Sequence, residues 1–465
     1  MSANIFTVKR SDIEGRLDPF FYRPDFMELE KLMKKIGAQP LRKFVKGIAS
    51  GATPKADEYE KYYSDKENGI PFLRVQNLSP TSILNYEDCK YINKETHENM
   101  LCRSQVNEGD LLVKITGVGR MAVASVAPKG FIGNINQHMC VIRTGDEKTS
   151  WILASWLNTD IAEKIASRRA TGGTRPALDY PALLSIPVIF DERIYEIMKN
   201  AVSEMKKKQK LAKELLASID SYLLSELGIT LPQKDNSLSK RIFTTKFSEV
   251  TGGRWDAYYN NQYYKNLFEE FKKSEYKLVF FHEIINDIKN GVEIRNYVDN
   301  GIRYLRVSDL SENGILNTNA RYVETQKIPE RIKLNSNSFL ISRSGSLGLV
   351  NVVTDEVKES ILSSHIFKVD LNTEKVFPEF LETFFRSSVG QFQFFRNNNG
   401  GVIPEINHEA LTSLRIILPP LPKQKEIAEH IRSIRAQAKQ LQAEAEQILQ
   451  AAKHQVEKMI LGEQI

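Results

Sequence analysis

Apolar residues recur along the last part of the chain at Ile427, Ile431, Ile434, Ala438, Leu441, Ala445, Ile448 and Ala452. The steps alternate four and three, which is a heptad seam and predicts a long helix that pairs with another. The same alternation occurs mid-chain at Ile194, Met198, Ala201, Met205, Lys208, Ala212, Leu215, Ile219 and Tyr222. Lys208 is the polar intruder there; it either snorkels to the rim or fixes register against a partner helix. Gly228 and Gly462 stand just past the two patterns, where helix-ending glycines belong. Pro187 and the run Pro419-Pro420-Leu421-Pro422 stand just before them, at the exit from strand or loop. Each helix has about 35 residues, hence a length of about 50 Å.

Elsewhere the period changes. Alternating or β-rich runs at 70–75, 110–115, 121–126, 139–143, 303–307 and 367–369 predict strands. Short helices are predicted at 24–35, 151–168, 262–273 and 378–396.

The chain is also an internal repeat. GIPFLRVQNL from Gly69 returns as GIRYLRVSDL from Gly301, identical at six of ten positions. RLD at Arg16 returns as RWD at Arg254, each followed by paired aromatics. LLVKITG from Leu111 matches FLISRSG from Phe339, and TGGTRPALDYPALLSIPV from Thr171 matches NGGVIPEINHEALTSLRI from Asn399. The order is kept and the offset stays near 230 residues. A period this long, present twice, marks a duplicated module rather than a solenoid.

The expected class is α+β: two similar globular α/β parts separated by two long helices that form an antiparallel coiled coil, with pseudo-twofold symmetry. The boundaries fall at 1–189, 190–230 (first helix), 231–421 and 422–465 (second helix), with a polar linker at 232–240. The alternative is two independent helices, each packed on its own globular part.

Composition narrows the function. The 465 residues are 41% hydrophobic and 26% charged, ample for real cores. No apolar run approaches the ~20 residues of a membrane span. Lys9, Arg10, Asp12 and Glu14 interrupt any signal-peptide core, which points to the cytoplasm. Cys89, Cys102 and Cys140 are too few and too scattered for a disulfide framework or a zinc site. The net charge of +6 fits nucleic acid without deciding for it.

Catalytic signatures are missing. The sequence has neither a G-x-x-x-x-G-K-[ST] loop nor an H-E-x-x-H, and its seven histidines do not cluster. TGVGR at Thr116 lacks the third glycine of a dinucleotide fingerprint and reads as a turn. NNQYY at Asn260 lacks the prolines of an adenine-N6 methyltransferase motif. Glu356 and Lys358 lack the P-D partner of a nuclease site and read as surface charge.

The polar segments instead carry residues that hold phosphates or read bases. Arg forks onto guanine, Asn and Gln bracket adenine, and Lys, Ser, Thr and backbone amides hold phosphates. The first module offers Ser50, Thr53 and Lys55 around Gly51, then Arg74, Gln76 and Asn77, Lys114, Thr116 and Arg120. It continues with Asn136, Gln137 and His138, and with Arg169, Thr174 and Arg175 in a basic glycine loop. The second offers Arg295, Arg306, Ser308, Arg343, Ser344, Ser346, Ser364, His365, Arg396, Asn398 and Asn399. The scaffold returns between modules while these positions differ: Arg175 stands opposite Ile403, Lys114 opposite Ser342, Gln76-Asn77 opposite Ser308-Asp309. That pattern suits two heads reading two different short sequences. Arg74 and Arg306, common to both, suit structure or phosphate, and Arg175 and Gln137 suit base contact.

These features resemble the specificity subunit of type I DNA restriction-modification systems. The RLD/RWD starts, GATP at Gly51, the two LRV segments, the double glycines and LPPLPKQKEIAEHI at Leu418 carry the likeness. The first module lacks the PPLPKQ segment where its helix begins. The resemblance implies two target-recognition domains, each reading half of a split site on double-stranded DNA. The helices would set the gap and dock two copies of a modification subunit. Those partners would bind S-adenosylmethionine and methylate adenine at N6; a restriction-translocase subunit would add cleavage. This chain would hold no cofactor, no metal and no catalytic residue. About 50 Å of helix is compatible with half-sites one DNA turn, about 34 Å, apart. The competing classes are a coiled-coil scaffold that does not read DNA and a fused enzyme.

Overall fold

The computed structural model describes residues 6–461 apart from 14, 234–236, 238–241, 252, 313, 325–329 and 336–337. Gly462 and most of the linker at 232–240 lie outside the described residues. The fold is α+β, and the chain divides into two units. Unit one comprises Met1–Lys210 with Leu441–Ile465, and unit two comprises Leu211–Gln440.

In unit one, strands Gly47–Ser50, Met139–Arg143, Leu111–Lys114, Ala124–Val126 and Ser82–Ile83 lie side by side in that order. A second sheet orders Tyr63–Ser64, Lys90–Ile92, Ile70–Leu73, Ile132–Ile135 and Gln105–Asn107. Its central pair is parallel, with Leu73 beside Ile135. Among the described residues unit two keeps four strands of the first sheet and three of the second, in the same order. Ile285–Asn290, Ile366–Leu371, Ser338–Ser342 and Val350–Val352 form one sheet, and Arg321–Val323, Ile302–Leu305 and Ser360–Leu362 the other. Leu305 lies parallel beside Leu362, as Leu73 does beside Ile135. The repeated L-R-V therefore ends the central strand of the second sheet in each unit, with its leucine fully buried.

The two long helices are Glu192–Glu226 and Leu421–Leu461. In unit one Lys208 bonds Glu444 at 2.6 Å, and Ile197 shares a groove with Gln455 and Met459, so the segments run antiparallel. In unit two the Tyr222 ring lies 4.2 Å from that of His430, and Glu226 bonds Lys423 at 2.6 Å, again antiparallel. Lys208 thus reaches the rim and pairs across the seam. Gly228 ends the first helix at φ +65°, with Ile229 N–H on the Leu224 carbonyl and Gly228 N–H on that of Ser225, the pair of hydrogen bonds that closes a left-handed helix end. In the last helix the buried line runs Ala445, Leu449, Ala452, Val456, Ile460, leaving Ile448 half-buried. A straight helix drifts against a strict heptad, which moves the seam by one residue.

Three elements differ from expectation. The 151–168 helix is two, Glu147–Leu157 and Asp160–Arg169, because Thr159 turns out of the helix and accepts the Ala162 N–H. The 378–396 helix is likewise Pro378–Arg386 and Ser388–Arg396, restarted by the Ser387 cap. An apolar period runs through both breaks, so the period hides a cap that restarts the chain. The strand at 121–126 is formed only at Ala124–Val126, since Ala122 lies at φ +54°.

Candidate nucleic-acid interface

Each unit gathers five loops at one end of its sheets, using the same five backbone hydrogen bonds. In unit one Gly51 N–H reaches the Met139 carbonyl at 3.3 Å, Asn136 that of Leu73 at 3.0 Å, and Ile115 that of His138 at 3.0 Å. Gly117 reaches Pro176 at 3.1 Å and Thr171 reaches Ala177 at 2.8 Å. In unit two the corresponding pairs are Gly291 to Ile366 (3.1 Å), Ser363 to Leu305 (2.9 Å) and Arg343 to His365 (2.8 Å). Gly345 to Pro404 (3.0 Å) and Asn399 to Glu405 (2.7 Å) complete the set. The frame is a backbone device, so side chains at the loop tips can change without disturbing it.

Glycine is required in that frame. A Cβ on Gly51 would stand 1.9 Å from the Ile135 carbonyl oxygen, and one on Gly291 would stand 2.2 Å from that of Ser363. Gly51 therefore serves the close approach of two chain segments, not the approach of a ligand.

Several expected readers are spent inside the protein. Asn77 is buried; its Oδ1 accepts the Arg74 N–H at 2.8 Å and its amide donates to the Asn85 carbonyl. Asp309 makes the same cap on Arg306 N–H at 2.8 Å, so the Asn77/Asp309 difference is one turn built twice. Lys114 is buried and donates to the Val118 carbonyl at 2.7 Å, while Ser342 at the matching place donates to Ser346 at 2.5 Å. Burial in apolar surroundings holds the Lys114 ammonium below the ordinary lysine range. That difference too is one turn pinned by two side chains.

The glycine loops are latched from below. Arg16 bonds Asp18 at 2.8 Å and donates to the Arg169 and Ala170 carbonyls; Arg254 bonds Asp256 at 2.8 Å and donates to the Asn398 carbonyl. Arg168 stacks 3.8 Å above Phe21 and bonds its carbonyl. Arg396 stacks 3.6 Å above Tyr259 and bonds its carbonyl at 3.0 Å. Arg396 is thus the counterpart of Arg168, a clamp rather than a free cation. Arg169 is held by Ser185 and Glu30, and Arg120 by Asp160 and the Asn158 carbonyl. Asn398 Oδ1 accepts from Gly400 and Glu405 N–H at 2.9 Å each, and Asn399 Oδ1 accepts from Arg254. Asn136 is buried, its Oδ1 accepting the His138 N–H. A single sequence cannot separate such residues from surface readers, because arginine and asparagine serve both tasks.

The remaining candidates line the gathered loops. In unit one Thr53 and Gln137 bond each other across two loops, Ser50 meets Tyr180 Oη at 2.7 Å, and Lys55, Gln76, Thr174 and Arg175 are exposed. Arg74, Thr116 and His138 are half-buried beside them in sequence. In unit two Arg295, Arg306, Ser308, Ser344, Ser346 and His365 line one open cleft of about 510 Å³, with Arg306 held by Asp309 and the Asn319 carbonyl and Arg295 by Glu293. Ser344 Oγ and His365 Nδ1 lie 2.5 Å apart, Arg343 pairs with Glu405 at 2.6 Å, and Ser364 adjoins in sequence. Tyr297, Tyr304 and Ile403 share the cleft and were not expected; no polarity signal marks them in the sequence. Among the described residues no group of three or more His, Cys, Asp or Glu could hold a metal ion. None of the described helices is long and apolar enough to cross a membrane.

Two polar loop clusters on a duplicated frame have a match among known families. Residues 285–450 match the type I restriction modification DNA specificity domain. The chain resembles type I specificity subunits. The MjaVIII type I restriction enzyme specificity subunit of Methanocaldococcus jannaschii is 22% identical over 297 residues. That alignment covers 58% of this chain and 63% of the relative, so the chain spans less than two thirds of its length. Among solved structures, the type I S subunit from M. genitalium aligns at 12% identity over 91% of this chain and 94% of that one, with TM-score 0.38. The HsdS subunit from Thermoanaerobacter tengcongensis aligns at 13% identity over 92% and 96%, with TM-score 0.36.

Proposed function

We propose that this chain is the DNA-reading subunit of a type I restriction-modification assembly and performs no chemistry itself. One observation carries the reading: the same five-bond frame presents different exposed side chains in the two units. Thr174 and Arg175 stand where the other unit has Val402 and Ile403, and Gln76 stands where it has Ser308. Each unit reads one block of a bipartite site on double-stranded DNA. The long helices set the gap and dock two copies of a modification subunit. That subunit carries S-adenosylmethionine and methylates adenine at N6; a restriction-translocase subunit, where present, cuts unmodified sites. The work is cytoplasmic, where the DNA is.

The test is direct binding. Duplex DNA is bound by the chain with its modification subunit, first in a random-sequence selection and then at several salt concentrations. The reading expects two enriched blocks and an affinity that falls steeply with salt, as phosphate contacts require. Enrichment of no sequence, with affinity indifferent to salt, would move the weight to a protein scaffold.

A further inference from the structure

The glycine-loop tips differ in chemistry on an equivalent mount. In unit one Thr171 and Ala177 bond each other reciprocally at 2.8 and 2.7 Å, and Gly172 turns at φ +95°. The tip exposes Thr174 and Arg175. In unit two Asn398 Oδ1 and the Asn399–Glu405 bond close the loop, and a Cβ on Gly400 would meet the Ile403 carbonyl oxygen at 1.9 Å. This tip exposes Val402 fully and Ile403 to 65%.

Two β-branched apolar residues are a poor choice for a solvent-facing turn, where Asn, Asp, Gly and Ser serve best. Neither packs into a core of its unit. Ile403 instead lines the cleft bordered by Ser308, Ser346 and His365, so apolar and polar groups border one space. In the major groove one base feature is apolar, the C5 methyl of thymine, and aliphatic side chains read it by contact.

We infer that Val402 and Ile403 read a thymine in the block recognised by unit two, through its C5 methyl group. The inference rests on the DNA-reading function proposed above. It makes the corresponding Thr174–Arg175 tip a reader of a different base and assigns part of the contrast between the blocks to this loop.

The experiment uses the complex of this chain with its modification subunit and duplexes carrying the selected site. Each thymine of the block is replaced in turn by uracil, which removes only the methyl. At one position uracil weakens binding about fourfold, the value for withdrawing one methyl-sized group from contact. The V402S/I403S complex binds thymine and uracil duplexes alike, while Ile403→Leu keeps the preference. Indifference to uracil at every position, a block without thymine, or a thymine preference that survives V402S/I403S overturns the assignment. If sequence-specific binding persists in those cases, only the thymine assignment falls. If no sequence is preferred at all, the DNA-reading function falls with it.

Discussion

Arg396 tests whether the structure separates clamps from readers. Arg396→Ala removes a charged N–H donor from the Tyr259 carbonyl at 3.0 Å and a guanidinium 3.6 Å from the Tyr259 ring centroid. A hydrogen bond to a charged group contributes about 1.5–3 kcal/mol, and a desolvated cation–π contact about 1–2 kcal/mol. Against this stands the cost of burying the charge, which holds the guanidinium below its ordinary range. The net loss expected is about 2–3 kcal/mol. For a unit of this size, that lowers Tm by about 4–12 °C. The assay pairs calorimetry with the sequence selection described above. The variant is expected to melt early yet keep both blocks. An unchanged Tm with an altered block would show that Arg396 reads DNA and that the latch argument is wrong. Arg168→Ala should cost more, because Arg168 is nearly fully buried and also pairs with Glu30 at 3.1 Å.

Other expectations follow from the same geometry. Gly51→Ala and Gly291→Ala each force a methyl against backbone carbonyls and should destabilise by about 2–3 kcal/mol or more, measured by urea unfolding. Glu30 is pushed up by burial, but its bonds and charge contacts with Arg169 and Arg168 outweigh this and hold it below the ordinary range. Its contribution is therefore full above the unfolded value of about 4.3 and lost as pH falls through the lowered one, so Glu30→Gln should flatten acid-induced destabilisation below about pH 4.3 in unfolding series. Lys208 and Glu444 are both about a third exposed, so a double-mutant cycle with K208M and E444Q should give a coupling of about 0.2–1 kcal/mol that shrinks with salt. Arg175→Ala should relax one block of the site and leave the other intact in a sequence selection; uniform weakening on all sequences would assign it to phosphate.

The large-scale plan was legible because periodicity and repetition are properties of many residues at once. The seams at 194–222 and 427–452 read as helices, and the two LRV segments pointed to equivalent strands. Caps at Thr159 and Ser387 were not legible, since one hydroxyl interrupts a pattern that otherwise continues. The site was legible as a set of loops but not as a set of roles. Lys114 and Ser342, or Asn77 and Asp309, differ in type yet hold the same turn, and the sequence counts that as divergence. Val402 and Ile403 show the converse: the sequence marks Ile403 only as the residue opposite Arg175, and the exposure of both is visible only in the fold.

The most direct measurement is a methylome. The chain is expressed with its neighbouring modification subunit in a host free of adenine methylation, and N6-methyladenine is mapped by single-molecule sequencing. The expected result is one split motif, two short blocks around a fixed gap. A stable complex that adds no methylation, or a single uninterrupted motif, would contradict the two-unit reading.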